Sequence, residues 1–358
     1  MKNILLFGSY HSNNKGDELI FYSIKSLLNE YFNNKVNLTL VTTNPEYFNS
    51  NYNINVIRPG DLIKIIKAIK SSDIIMIGGG GLFFDYSLLD TLKIRGESQI
   101  IYWFIITVLA GFFRKRVMWY RVGFGPIKTN FSKNLIKYSS KYVEKIIVRD
   151  NYSYKFLVSL NISKEKIIRS HDVVFRLKLK RHSNGKYILI IPRYWNDSED
   201  RIFTFFSNVI SSLLDEGNNV VISETNHKKD GILSKMLYYK FRSNKNLSYS
   251  PINSQDKVHK LINIIRRSKL LISMRMHPII IASKLGIPVI GIEYNTPKII
   301  ECMKQIGMSK YLSNFKEDES KILKMILSSL NKREEIRKIM KNRLEKIENE
   351  NTEFIEKI

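Results

Sequence analysis

Arg275 and His277 follow the apolar run Leu270–Ser273, and an apolar helical stretch, Pro278–Leu285, comes directly after them. An arginine offers a planar fork of donors to a carboxylate or phosphate, and an imidazole can give up a proton near neutral pH. Together, before a helix N-terminus, they make an anion site with a proton donor in it. A second apolar run, Pro288–Ile292, then delivers Glu293, Tyr294 and Lys298. Strand, polar tip, helix, strand, polar tip is a βαβ unit, and open parallel sheets bind ligands beyond the carboxyl ends of their strands. The chemistry expected is that of an enzyme acting on a small acidic or phosphorylated substrate.

Other strand tips carry reactive residue types. Arg193 follows the strand Tyr187–Ile191 and stands beside Tyr194 and Trp195. It suits an anionic group held bidentately, or a surface arginine stacked on Tyr194. Glu224, His227 and Asp230 follow Val220–Ser223; they are metal-binding types, but their spacing matches no specific ligand motif. Near the N-terminus, the polar loop Gly8–Asp17 joins the strand Met1–Phe7 to an amphipathic helix, Glu18–Leu28. It has neither the dinucleotide glycine pattern nor the Gly-Lys-Ser/Thr of a Walker loop. Asn14 and Asp17 can orient sugar hydroxyls there, or cap the helix. Gly78, Gly79, Gly80 and Gly81 end the strand Ile74–Ile77, where a glycine run lets backbone N–H groups approach a ligand. Asp85 follows, as a ligand contact or a second cap.

The elements that must position these residues repeat. Leu62–Gly81 and Leu261–His277 each read as amphipathic helix, short polar break, apolar strand and tip, and each is followed by a helix and another apolar strand. Two α/β domains follow from this, each doubly wound and Rossmann-like, facing each other across a cleft. Residues 1–177 form the first, 178–186 a linker, 187–316 the second and 317–358 a charged helical tail, most simply solvated, that could cross back onto the first domain. A length of 358 residues and a hydrophobic fraction of 44% suit two cores and exclude a disordered chain. The single cysteine, Cys302, excludes an internal disulfide framework and a multi-cysteine zinc site. The N-terminus reads as a first strand rather than a signal peptide, and a reducing cytoplasm is the expected compartment.

A net charge of +25 favours nucleic acid, anionic lipid or polyanionic glycan, or reflects a lysine-rich composition throughout. No zinc knuckle, RNP motif or basic helix array is present, so nucleic acid is not expected. Ile100–Phe113 is strongly apolar and is followed by Arg114-Lys115-Arg116. It is short for a spanning helix, so it is either a core helix or one that dips into a membrane surface beside its basic flank.

Taken in order, these residues resemble the polysaccharide pyruvyl transferase family over most of the chain. The resemblance rests on Gly8-Ser9-Tyr10 with Asn14, Gly16, Asp17 and Glu18, on Gly78–Gly81, and on Gly123–Pro126. It continues through Arg149-Asp150 before Ser153, Asp172 before Phe175, Arg193, Arg275-x-His277, Gly286-x-Pro288 and Tyr294 with Lys298. Lys15 departs from it, standing before Gly16 where an apolar residue is expected. The resemblance implies a GT-B-like architecture and transfer of a pyruvyl group from phosphoenolpyruvate to a sugar of a cell-surface polysaccharide or its lipid-linked precursor. It implies Arg193, Arg275 and His277 at the donor, with Lys298 nearby in sequence; ketal formation from that donor needs an acid, for which the His277 imidazole is the best candidate. Asp17, Asp85 and Glu293 are candidates for the base, and Asn14, Gly79, Gly80, Gly81 and Glu293 for acceptor contacts. Phosphoenolpyruvate is a co-substrate, and no cofactor or metal is expected. Partners are then the donor, a saccharide and, reversibly, an anionic membrane surface at the cytoplasmic face. The competing readings are a GT-B glycosyltransferase using a nucleotide sugar and a non-catalytic glycan- or membrane-binding relative.

Overall fold

The computed structural model describes the chain except residues 86, 89–98, 181–184, 196–197, 295–296, 318 and 353–358. Contacts divide it into two compact units. The first comprises Met1–Ser12, Ile20–Leu177 and the end of the chain from Glu350; the second comprises Asn13–Leu19 and Lys178–Asn349. The expected linker begins at this division, with residues 181–184 outside the described ones.

In the first unit the strands are β1 (Lys2–Phe7), β2 (Val36–Val41), β3 (Asn55–Ile57), β4 (Ile74–Phe83), β5 (Arg116–Phe124), β6 (Lys145–Val148) and β7 (Ile167–Arg169). They pair in parallel in the order β3-β2-β1-β4-β5-β6-β7. The helices are α1 (Lys15–Tyr31), α2 (Pro45–Tyr52), α3 (Leu62–Ser71), α4 (Ile100–Phe112), α5 (Asn130–Ser139) and α6 (Asn151–Ser159). The central strands are buried on both faces, which is why they read as continuous apolar runs. Trp103, Ile106 and Ala110 of α4 join Ile65 and Ile69 of α3 and Trp119 of β5 in one core. Asp150 caps α6 by accepting from Ser153 N at 2.7 Å, while Arg149 donates to Asp172 at 3.0 Å.

In the second unit the strands are β8 (Tyr187–Ile191), β9 (Val220–Ile222), β10 (Leu247–Tyr249), β11 (Ser268–Ser273), β12 (Val289–Glu293) and β13 (Leu312–Asn314). Their parallel order is β10-β9-β8-β11-β12-β13. The helices are α7 (Glu199–Asp215), α8 (His227–Lys240), α9 (Val258–Arg266), α10 (Met276–Lys284), α11 (Pro297–Gln305), α12 (Glu319–Asn331) and α13 (Arg333–Thr352). Both sheets reverse direction once, between β1 and β4 and between β8 and β11, and such switch points are where doubly wound sheets bind ligands. Among the described residues, no helix is long and apolar enough to cross a membrane.

Two expectations change. The glycine run does not end its strand: β4 continues through it to Phe83. Gly79 and Gly80 are buried at φ +71° and +85°, and a Cβ on Gly79 would lie 2.0 Å from Ile20 Cγ2 of α1. Tyr10 Oη donates to Gly78 O from the β1 side. These glycines let β4 take a conformation and a closeness to α1 that a side chain forbids. The charged tail is not simply solvated either. Ile336, Met340 and Ile347 form a buried stripe at helical spacing on α13, and Arg337 Nε donates to Gly286 O at 3.0 Å. In the first unit, His171 Nε2 meets Glu350 at 2.9 Å, so the tail does return to that unit.

Gly79→Ala should therefore cost about 2 kcal/mol or more, from the strained φ and the overlap with Ile20. The denaturant midpoint of the variant measures this; an unchanged midpoint would refute the packing role.

Candidate active site

The tips of β8 and β11 are joined by a carboxylate. Asp230, in the first turn of α8, is fully buried and accepts from Arg275 Nε at 3.0 Å and Nη2 at 2.6 Å. It also accepts from the backbone N of Tyr194 at 3.1 Å. Desolvation works against the charged Arg275 guanidinium, but Asp230 outweighs it, and the charges of Tyr294 and Asp17 add to the upward shift of its pKa. Among the described residues, Arg275 Nη1 makes no hydrogen bond. Arg275 thus presents one edge of its fork to Asp230 and does not have the whole fork to offer as a clamp.

Arg193 is held by aromatic rings. Its guanidinium carbon lies 4.5 Å from the Tyr294 ring centroid and 5.1 Å from that of Trp195, and Nη1 donates to Tyr294 Oη. Stacking of this kind fixes the plane of the guanidinium. The ring beside Arg193 is Tyr294, from a different strand tip, rather than Tyr194.

The loop from residue 14 brings the next components. Asn14 Nδ2 donates to Asp17 at 2.8 Å and its Oδ1 accepts from Gly16 N at 3.1 Å. Asn14 also pairs across a bridge with Asn226 beyond β9. A Cβ on Gly16 would lie 2.4 Å from His277 Nδ1. The imidazole, in the first turn of α10, thus packs against bare backbone beside Asp17. Asp17, Arg275 and His277 are brought together in the second unit, although Asp17 lies some 260 positions earlier in the chain. Lys15 is buried and pairs at 2.8 Å with buried Glu18, and its backbone N donates to Thr225 O at 2.8 Å. The unexpected charge there carries its own counter-ion.

Other expected residues have different surroundings. Glu293 accepts from Asn314 Nδ2, and Lys298 stands in the first turn of α11, both half-buried. Asp85 is fully buried in the first unit. Its carboxylate accepts from the Lys128 and Thr129 backbone and from the Thr129 hydroxyl. Desolvation raises its pKa, but hydrogen bonds from Ser132, Thr129 and Lys128 prevail and hold it below the ordinary value. So engaged, it anchors the start of α5 and is a poor base. Gly79 and Gly80 are spent on packing against Ile20, and Gly81 is half-buried at the same strand.

Glu224 and His227, flagged in the sequence as metal-binding types, gain partners that the sequence does not indicate. Glu224, fully buried at the tip of β9, accepts through Oε1 from His227 Nδ1 at 3.0 Å, Tyr249 Oη at 3.0 Å and Ile252 N at 3.2 Å. Its Oε2 has no partner among the described residues. Burial raises its pKa, against the lowering effect of His227 and Tyr249.

Comparisons with known proteins identify the family and the fold. A sequence model of polysaccharide pyruvyl transferases matches residues 14–296. The fold resembles Anabaena HepE in complex with UDP (TM-score 0.63, 10% identity, covering 100% of this chain and 99% of that one). It also resembles the Neisseria meningitidis UDP-GlcNAc 2-epimerase bound to UDP-GlcNAc (0.59, 14%, 99% and 100%). A Rickettsia africae glycosyltransferase is similar to the same degree (0.59, 12%, 99% and 98%). At these identities the likeness is one of fold: two parallel-sheet α/β domains of the GT-B type. No curated protein matches in sequence.

Glu224 has a pH consequence. Its folded pKa is raised above the ordinary 4.5. Its contribution to stability is therefore full below that value and is lost as pH rises through the folded pKa. Glu224→Gln keeps an acceptor for the three donors and cannot ionise. The melting temperature of the variant should gain on that of the parent as pH rises above 4.5. A constant difference across that range would show that Glu224 does not titrate anomalously.

Proposed function

We propose that this chain, which belongs to the polysaccharide pyruvyl transferase family, moves a pyruvyl group from phosphoenolpyruvate to a saccharide of a cell-surface polymer or its lipid-linked precursor. The observation that carries this reading is the convergence of Arg275, Arg193 through Tyr294, Asp17 and His277 at the β8–β11 switch point. Phosphoenolpyruvate places a phosphate and a carboxylate close together, and two oriented arginines match that pair of anions. The Lys298 ammonium and the N-terminus of α10 add positive potential.

In this reading the His277 imidazolium gives its proton to the donor's methylene carbon, which becomes a methyl group. Positive charge develops on the adjacent carbon and an acceptor hydroxyl oxygen bonds there. The bond from that carbon to the phosphate oxygen breaks, and phosphate leaves. A second hydroxyl then closes the cyclic ketal. Of the two hydroxyl protons, one is taken by Asp17 and passed to the departing phosphate, and the other returns to His277. Asp17, beside His277 and oriented by Asn14, is the better placed base; Asp85 is taken by the start of α5.

A thermal-shift comparison tests the donor. Phosphoenolpyruvate should stabilise the protein and UDP-GlcNAc should not, because a ligand stabilises the state it binds. The opposite result would favour a nucleotide-sugar transferase. Arg275→Lys retains charge but loses the planar fork and its pairing with Asp230, so it should abolish most of the stabilisation by phosphoenolpyruvate. Retention of most of it would rule out that geometry.

His277→Asn separates acid from binder. Its turnover, read as phosphate release with a lipid-linked disaccharide acceptor, should fall about a hundredfold or more. Donor affinity should change far less. Normal turnover with weakened donor affinity would make His277 a binding residue.

A further inference from the structure

We infer that the helices α3, α4 and α5 of the first unit form a docking surface for an anionic lipid bilayer. The inference is independent of the donor and acceptor just proposed. None of these three helices contains an aspartate or glutamate. One face of α4 enters the core through Trp103, Ile106 and Ala110. The opposite face, Ile101, Phe104, Ile105, Val108 and Phe112, follows helical spacing and is exposed or half-buried. Phe112 is 76% exposed and Ile105 48%. On α3, Ile63 is 73% exposed while Ile65 and Ile69 fill the core, so this helix too carries apolar residues on its outer side.

The three helices are neighbours. Lys115 Nζ donates to Lys70 O at 2.6 Å, and Lys70 Nζ stands 4.8 Å from the Phe113 ring centroid. The rings of Phe104 and Tyr138 on α5 lie 6.0 Å apart. The exposed apolar side chains therefore stand on adjoining helices. A lone exposed leucine needs no explanation, but such a group does.

Charge identifies the occupant. Arg116 is already neutralised by Glu144, with hydrogen bonds of 2.8 and 2.9 Å, and Lys64 is paired with Asp61 at 3.2 Å. Exposed cations with no carboxylate partner among the described residues include Lys67 and Lys70 on α3, Arg114 after α4 and Lys137 on α5. They lie on the same helices as the apolar side chains or directly beside them. Lysine and arginine over apolar side chains, with no acid on the helices, match an acidic headgroup layer above acyl chains. The cations extend beyond the flank Arg114–Arg116: Arg116 is paired with Glu144, and α3 and α5 supply others.

The test is flotation of the whole protein with vesicles of phosphatidylglycerol and phosphatidylcholine, against vesicles of phosphatidylcholine alone. Binding should require phosphatidylglycerol and weaken in high salt. Changing Lys67, Arg114 and Lys137 together to Gln should weaken it ~10-fold or more. Ile63→Ser with Phe112→Ser should weaken it as well, while the melting temperature and stabilisation by phosphoenolpyruvate stay as in the parent. Changing the exposed Lys324, Lys332 and Lys338 to Gln removes equal charge elsewhere and should have little effect. Four results would overturn the proposal: equal binding to both vesicle types, none at low salt, an equal loss in the Lys324 set, or no loss in the serine variants. The Lys324 result would assign binding to bulk charge. Absence of vesicle binding would assign the surface to a protein partner.

Discussion

The buried ion pair of Asp230 and Arg275 holds the candidate site in register. Neither partner can be withdrawn alone, since a single charge left in that position would lack both water and a counter-ion. Because Asp230 also takes the backbone N–H of Tyr194, the pair fixes the two strand tips that flank the switch point and the first turn of α8 in one arrangement. Preorganised donors of this kind need not reorient when an anion arrives. The arrangement has an electrostatic cost. Arg275 is already balanced by Asp230, so its positive charge adds less to the potential at the switch point than an unpaired arginine would.

Close backbone approach is the second device, and both units use it. Gly16 admits the His277 ring, Gly79 admits Ile20, and a Cβ on Gly123 would lie 2.6 Å from Arg149 Nε. In each case the missing side chain belongs to one element and the space is filled by another. A glycine that lines a ligand and a glycine that yields to a neighbouring side chain look alike in sequence, which is why the run in β4 reads as a binding loop.

Strand runs such as Ile188–Ile191 and Leu270–Ile272 are legible because both faces of a parallel sheet are buried, so apolar residues run unbroken. The three-residue edge strands β3, β10 and β13 are partly exposed and carry no such run, and they escape detection. In the site, Arg275, His277 and Arg193 are legible as types at strand tips. Their partners are not. Nothing local in the sequence joins Asp230 to Arg275 across 45 positions, or the Tyr294 ring to Arg193 across 101. For Asp85 a cap and a base have the same composition, and its donors place it at the start of α5.

The helix α1 is continuous, yet its first turn groups with the second unit and the rest with the first. Near the other end, the chain leaves the second unit at Asn349 and rejoins the first at Glu350. Neither unit is therefore a contiguous cassette. Exchange of the segment from Lys178 onward with that of a relative would leave Asn14, Gly16 and Asp17 behind and import a mismatched neighbour for His277. Recombination at the obvious boundary separates the loop of Asn14, Gly16 and Asp17 from the residues it packs against, so the two halves must diversify together.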